Sequence, residues 1–416
     1  MGAPVSLVAR QGETPPQRPR VVDILRRHAE GVRQASSLSE EQGSALFLLS
    51  ACGTAALGGY LEVCDHCGHR RPHYNSCRNR NCPRCQWRRQ RDWTAQRIER
   101  TLPTPHFQVV FTLPSELRPL ALANQKVVYD LLFDASRYTL ATLACQRLDA
   151  RPAITSVLHT WARDLSYHPH IHCMITAGGL RNDDAAWVAC RDEYLFPYRL
   201  MKAMFRGRLL ARLDAAFRRG ELDLEGDPVS AGKAFATMKR QLYKKTWVVF
   251  VEPAGDRAPE QLLRYLGRYI YRVAIADDRL VEVTDDAVTF RTRGQKTVTL
   301  DGVEFGRRFL LHVVPKGLRK VRYYGLLAPC NVRTRLDKAR ELLQQDRNEP
   351  DLPVDAPVDA GAGGEVDQGD EDADPWLCPR CRIGTMRPQP IDHDGLERCD
   401  TTLHGWDTIL DRRDTS

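Results

Sequence analysis

The residue types best suited to chemistry in this sequence are histidine, cysteine and tyrosine, and they gather in three places. The first is Tyr167-His168-Pro169-His170-Ile171-His172-Cys173-Met174-Ile175. A strand sets successive side chains on opposite faces, so His170 and His172 project from one side while Ile171 enters a core. Two neutral imidazoles on one face form a ready pair of metal ligands. Pro169 cannot donate a ladder hydrogen bond, so the strand begins there. The competing reading is a histidine-rich strand of purely structural use.

The second place is Cys64-Asp65-His66-Cys67, followed by Cys77-Arg78-Asn79-Arg80-Asn81-Cys82-Pro83-Arg84-Cys85. Two Cys-x-x-Cys turns separated by fourteen residues can bring four thiolates around one tetrahedral Zn²⁺. The spacing assigns Cys64, Cys67, Cys82 and Cys85 as structural ligands, with Cys77 as alternate and Cys52, His66 and His69 in reserve. A half knuckle, Cys378-Pro379-Arg380-Cys381, stands near the end of the sequence. It would make a second zinc site only with further ligands such as Cys399 and His393 or His404.

The third place is Arg264-Tyr265-Leu266-Gly267-Arg268-Tyr269-Ile270-Tyr271-Arg272. Tyr265 and Tyr269 are four apart and share a helix face, beside a stripe of Arg264, Arg268 and Arg272. Tyrosine hydroxyls next to guanidinium groups suit phosphoryl transfer, since one attacks and the others hold the phosphate. The bland alternative is an amphipathic helix with aromatic packing.

The elements that must position these groups can be read in outline. Val21 to Ser50 predicts two short helices, with Ser39 an N-cap. His106–Thr112 reads as a buried strand, Leu117 to Leu148 as a long helix, and Ile154–Trp161 as a second strand. That strand runs through Arg163-Asp164 into the histidine strand, and the short connection suggests an antiparallel hairpin. His159 would then face the His170/His172 pair, and the third metal ligand stays open among His168, His159 and Asp164. Basic helices are expected over Met201–Arg219 and Lys233–Lys245. Further strands are expected at Trp247–Val251, Ala287–Arg291, Thr297–Leu300 and Phe309–Val314.

Charge is divided along the chain. From Glu349 onward there are 17 acidic and 6 basic residues, so the preceding part carries 55 basic and 36 acidic ones, a net of +19. Such a field favours a polyanion. Arg78, Arg80, Arg84, Arg88 and Arg89, with Trp87 and Trp93 among them, suit phosphates and stacked bases. Lys316, Arg319 and Lys320 extend the candidate DNA-binding set. The 13 cysteines favour metal binding in a reducing cytoplasm over disulfides. No apolar run approaches the roughly 18 residues needed to span a bilayer. The expected location is the bacterial cytoplasm, on the nucleoid when bound to DNA.

Taken together, the zinc module Ser76–Cys85, His159-Thr160-Trp161, Tyr167–His172, Tyr265–Tyr269 with Arg272-Val273-Ala274-Ile275, and Pro315-Lys316-Gly317 with Tyr323-Tyr324-Gly325 resemble the HUH (His-hydrophobe-His) transposases of the insertion sequence 91 family. The resemblance covers roughly residues 24–328 in one order. It implies an α+β fold whose central antiparallel sheet, flanked by helices, carries the histidine pair on its middle strand beside the tyrosine helix, preceded by a small zinc-binding module. It implies that His170 and His172, with one more ligand, hold a catalytic Mg²⁺ or Mn²⁺. Tyr265 or Tyr269 would attack single-stranded DNA at a transposon end, and the resulting 5′-phosphotyrosine would later be joined to target DNA. A rolling-circle replication initiator or relaxase-like nickase would share that cleavage. A non-catalytic zinc-dependent regulator would leave the histidines and tyrosines without a task.

The expected domain plan is a disordered stretch over 1–20, a helical and zinc-binding DNA-contact module over 21–102, and the catalytic domain over 103–345. An acidic disordered linker follows over 346–376, then a tail over 377–416 with the possible second zinc.

Overall fold

The computed structural model describes residues 19–86, 100–190, 195–224, 228–254, 273–345 and 376–390. Helices α1 (Val21–Arg27), α2 (Ala29–Ala35) and α3 (Glu40–Ser50) lead into the hairpin β1 (Gly59–Cys64) and β2 (Arg70–Tyr74). Strand β3 (His106–Thr112) is followed by helices α4 (Arg118–Ala123) and α5 (Gln125–Leu148). Next come strands β4 (Ala150–Arg151), β5 (Ala153–Trp161), β6 (Tyr167–Thr176), β7 (Gly178–Arg181) and β8 (Trp187–Ala189). Helices α6 (Tyr198–Arg218) and α7 (Pro228–Lys244) precede β9 (Val249–Pro253). The three-stranded sheet of β10 (Leu280–Val283), β11 (Ala287–Arg291) and β12 (Thr297–Asp301) runs into α8 (Gly302–Leu310). Strand β13 (Val321–Gly325), helix α9 (Arg335–Gln345) and strand β14 (Met386–Pro390) complete the order.

A five-stranded sheet in the order β13-β5-β6-β3-β9 carries the histidines, and every neighbouring pair is antiparallel. Strand β6 is therefore the middle one. Its alternation is strict where it matters: Tyr167, Ile171, Cys173 and Ile175 join Phe107, Val109, Phe111, Ile154 and Leu158 in one apolar core. Helices α5 and α6 close that core with Tyr129, Leu132, Phe133, Leu140, Phe205 and Leu209. Tyr129 and Tyr167, both buried there, share a hydrogen bond of 2.7 Å between their hydroxyls. Burial raises both phenols well above their ordinary range, so each stays neutral.

A second core unites α1–α3 with the β10–β12 sheet and α8, through Leu25, Val32, Leu46, Leu49, Val288, Phe290, Phe305 and Phe309. The first helices thus bury their apolar faces against a segment some 250 residues downstream. Ser39 caps α3 as expected: the Gln42 N–H donates to Ser39 Oγ while the Ser39 N–H donates to Gln42 Oε1. That reciprocal pair satisfies two groups the helix cannot.

Three expectations about local structure fail, each for a visible reason. The chain from Val21 to Ser50 forms three helices rather than two, because the helical path breaks at His28, whose ψ is 8°. The single helix over Leu117–Leu148 is interrupted at Asn124, whose amide group bonds Leu120 O, Asp223 O and Asp223 N–H and so ties down a distant turn. The strand expected at Phe309–Val314 is instead the end of α8 and the turn after it. Asp301 caps α8 by accepting from the Val303 and Glu304 N–H groups, Glu304 pairs with Arg307 and Arg308, and Phe305 and Phe309 enter the core one turn apart. Helical spacing of two phenylalanines and a cap outweigh the apolar run.

Candidate active site and cysteine centres

His170 and His172 stand on the face of β6 opposite the helix-covered core. The hairpin register puts His159 of β5 directly across from His170 and Val157 across from His172, while β3 places Thr112 and Val110 on the other side. His159, His170 and His172 each offer a ring nitrogen, and the three atoms lie within 4.8 Å of one another. Ring centroids are 5.5 Å apart for His159–His170, 4.6 Å for His159–His172 and 4.8 Å for His170–His172. His159 is buried and the other two are half-buried, so the site is rooted in the sheet yet reachable.

The donors suit a divalent cation. His170 Nδ1 lies 2.7 Å from the His168 carbonyl oxygen. A carbonyl only accepts, so Nδ1 carries the proton and Nε2 keeps its lone pair for a metal. His172 Nδ1 lies 2.9 Å from the side-chain amide of Gln108 on β3. The Gln108 amide nitrogen faces the ring and donates to Nδ1. A half-turn of the amide, which exchanges its nitrogen and oxygen, lets Nδ1–H donate instead and leaves Nε2 of His172 free as a ligand. Gln108 is buried on the strand between apolar neighbours. Sequence reasoning missed it, although a lone amide in the run His106–Thr112 was a readable signal.

The other two candidates for third ligand are engaged elsewhere. His168 Nδ1 accepts from Arg118 at 2.5 Å, and burial and the adjacent cation hold that imidazole below its ordinary range. Asp164 turns the β5–β6 hairpin by accepting from the Ser166 N–H and hydroxyl at 3.1 and 2.7 Å. Burial would raise its carboxyl, but those hydrogen bonds together hold it low. Neither residue stands in the three-histidine group.

The floor beside His159 is aromatic. Trp161 stacks on His159 at 4.6 Å, His312 meets Trp161 at 6.0 Å, and Lys320 Nζ lies 5.2 Å from the indole centroid. Burial pulls the Lys320 ammonium down to about 8, with Arg80 adding to the effect. Lys320, expected to meet DNA, is turned inward over Trp161. Arg80 corrects the same expectation, because its guanidinium donates to the carbonyls of Leu318, Val314 and Pro315 at 2.7–2.9 Å and clamps that turn. Arg78, Arg84, Lys316 and Arg319 are exposed. Arg88, Arg89, Tyr265, Tyr269, Arg264, Arg268 and Arg272 lie outside the described residues, as do Cys399, His393 and His404.

The cysteines regroup. Cys64 and Cys67 do not meet Cys82 and Cys85; the described residues hold two separate four-cysteine groups. One is Cys52, Cys77, Cys82 and Cys85, with sulfur separations of 3.7 Å for Cys52–Cys82, 3.7 Å for Cys77–Cys85 and 3.9 Å for Cys52–Cys85. The other is Cys64, Cys67, Cys378 and Cys381. The reason is geometric: the β1–β2 hairpin carries Cys64 and Cys67 at its closed end, whereas Cys77 follows the return strand and meets Cys52 at its open end. Contacts with Cys77 and Cys82 draw the Cys52 thiol down to about 6. Four sulfurs this close cannot all ionise without a cation between them. Among the described residues, the C-terminal knuckle meets Cys64 and Cys67.

Residues 153–335 match a family described as "Putative transposase", and residues 24–113 match a "Transposase zinc-binding domain". The chain is 41% identical over 409 residues to "Putative transposase y4qJ" of Sinorhizobium fredii, covering 94% of this chain and 98% of that one. It is 29% identical over 297 residues to "Transposase for insertion sequence element IS801" of Pseudomonas savastanoi pv. phaseolicola, covering 67% and 68%. No solved structure matches it. These matches define a transposase with an N-terminal zinc-binding domain. The chain belongs to the insertion sequence 91 family of transposases. Among the described residues no helix is long and apolar enough to cross a membrane.

Proposed function

We propose that the protein cuts and rejoins single-stranded DNA at the ends of its element through a tyrosine–DNA linkage, in the manner of HUH enzymes. The observation that carries this reading is the His159–His170–His172 group on the middle of the antiparallel sheet. His159, His170 and His172 would hold Mn²⁺ or Mg²⁺, which supplies Lewis-acid polarisation of the scissile phosphate. Imidazole is softer than Mg²⁺ prefers, which favours Mn²⁺.

Tyr265 or Tyr269 would supply the attacking oxygen. The phenolate forms a new P–O bond to the scissile phosphate, the bond to the 3′ oxygen breaks, and a free 3′ hydroxyl leaves. That hydroxyl, or one from target DNA, reverses the step and releases the tyrosine, so strands are rejoined without ATP. Two tyrosines would allow two transfers in succession. The exposed Arg78, Arg84, Lys316 and Arg319 would hold phosphates.

The experiment is incubation with single-stranded DNA carrying an element end, with Mn²⁺ or Mg²⁺, followed by denaturing electrophoresis. A covalent protein–DNA adduct is expected, and Tyr265→Phe combined with Tyr269→Phe should remove it. An undiminished adduct in that double variant, or none in the unaltered protein, rules the mechanism out.

A further inference from the structure

The pairing of Cys64 and Cys67 with Cys378 and Cys381 joins two segments about 311 residues apart. Sγ of Cys64 lies 3.7 Å from that of Cys381, and Sγ of Cys67 lies 3.7 Å from that of Cys378. Sulfurs at the corners of a tetrahedron around Zn²⁺, each about 2.3 Å from the ion, are about 3.8 Å apart. Both halves also show the backbone arrangement that steadies thiolates. The His66 and Cys67 N–H groups point at Cys64 Sγ, and the Gly384 N–H points at Cys381 Sγ, all at 3.4 Å.

We propose that these four cysteines form a second structural zinc site, which clasps the segment Trp376–Pro390 onto the N-terminal module. The rest of the contact is thin without an ion. Strand β14 adds to the edge of β1, from Tyr60↔Pro390 to Cys64↔Met386, and Asp65 accepts from the Thr385 N–H and Arg387. Apolar burial is limited to Cys64, Cys378 and Met386 with Cys381 beside them. Trp376, Leu377 and Ile383 are 50%, 41% and 69% exposed. A segment with so small a core depends on a metal to hold its shape. Close approach is built in as well, since a Cβ on Gly384 would stand 2.5 Å from Cys64 Sγ.

The clasp predicts two zinc ions per full-length chain, measured by elemental analysis after dialysis. Cys64→Ser with Cys67→Ser should lose one, Cys378→Ser with Cys381→Ser should lose the same one, and all four changes together should still leave one. One zinc in the unaltered protein, iron in its place, or loss of both ions only in the fourfold variant would overturn the proposal.

Because such variants can misfold, a second measurement uses the unaltered protein. Alkylation by N-ethylmaleimide, read by mass spectrometry, should modify the exposed Cys145 and Cys330 quickly. Cys67, also exposed, should be spared with Cys378 and Cys381 until a chelator is added. Equal rates at Cys67, Cys378, Cys381 and the two reporters would refute the clasp.

Discussion

The histidine site and the cysteine centres are both clusters of metal-ligating side chains, but they rest on opposite foundations. His159, His170 and His172 sit on strands whose other face is covered by α5 and α6, and whose register is set by ladders on both sides. There the fold holds the ligands. Around Cys64, Cys67, Cys378 and Cys381 the buried core is three residues, with Cys381 half-buried beside them, and the hairpin is short. There the ligands hold the fold. The Cys52 group lies between these extremes, because Cys52, Cys82 and Cys85 also border the second hydrophobic core.

The largest expected effect breaks the comparison at its centre. Removing zinc with a strong chelator should release residues 59–86 and 376–390 to protease while the five-stranded sheet stays protected. Structural zinc contributes on the order of 10 kcal/mol to a small module, far more than the hairpin's own contacts. Hydrogen exchange read by mass spectrometry checks this. Equal loss of protection in the sheet would show that both regions depend on metal.

Next comes His170→Ala. It should abolish adduct formation while leaving most DNA affinity, because phosphate contacts dominate binding, and shift thermal stability by only about 1 kcal/mol, as a half-buried ring leaves no large cavity. A loss of DNA binding equal to the loss of cleavage would mean that His170 serves structure. A smaller effect sharpens the same point: Gln108→Leu should weaken Mn²⁺ affinity by about 10–100-fold, the usual range for a residue that orients a ligand. An unchanged titration by Mn²⁺ electron paramagnetic resonance would remove Gln108 from the site.

How far each region was legible follows from the range of its contacts. The histidine strand and its partner hairpin are neighbours in sequence, so period-two alternation and a short turn were enough to put His159 opposite His170. The cysteines were legible as residue types but not as groups. Spacing favours Cys64 and Cys67 with Cys82 and Cys85, yet Cys52 and Cys77 on one side and the distant Cys378 and Cys381 on the other complete the two sets, and nothing local reports a contact across 311 positions. The basic residues failed differently. Composition counts a charge without saying where it points, and Arg80 and Lys320 point inward, at carbonyls and an indole. Gln108 was passed over because its neighbours made the strand read as core.

The smallest expected effect concerns His312, which ties the histidine site's aromatic floor to the β5–β6 turn. It is buried, its Nδ1 accepts from the Thr160 hydroxyl at 3.3 Å, and its Nε2–H donates to Leu165 O at 3.2 Å. The neutral ring satisfies both contacts, whereas a proton on Nδ1 would destroy the first. Burial accordingly pulls its pKa down to about 3 from 6.5. A depressed histidine binds fewer protons folded than unfolded, so its contribution is complete above pH 6.5 and is lost as pH falls toward 3. Each pH unit in that window removes up to about 1.4 kcal/mol. His106, pulled to about 4 by burial, adds a similar slope, and zinc release in acid adds another, so the unaltered protein alone does not isolate His312. The difference between it and His312→Gln does. Urea unfolding from pH 7 to pH 5 should show the variant less stable at pH 7, because the glutamine packs less well, but losing about one proton's worth less of slope on acidification. Parallel pH profiles for the two proteins would mean that His312 keeps its ordinary pKa and that the floor under His159 is open to water.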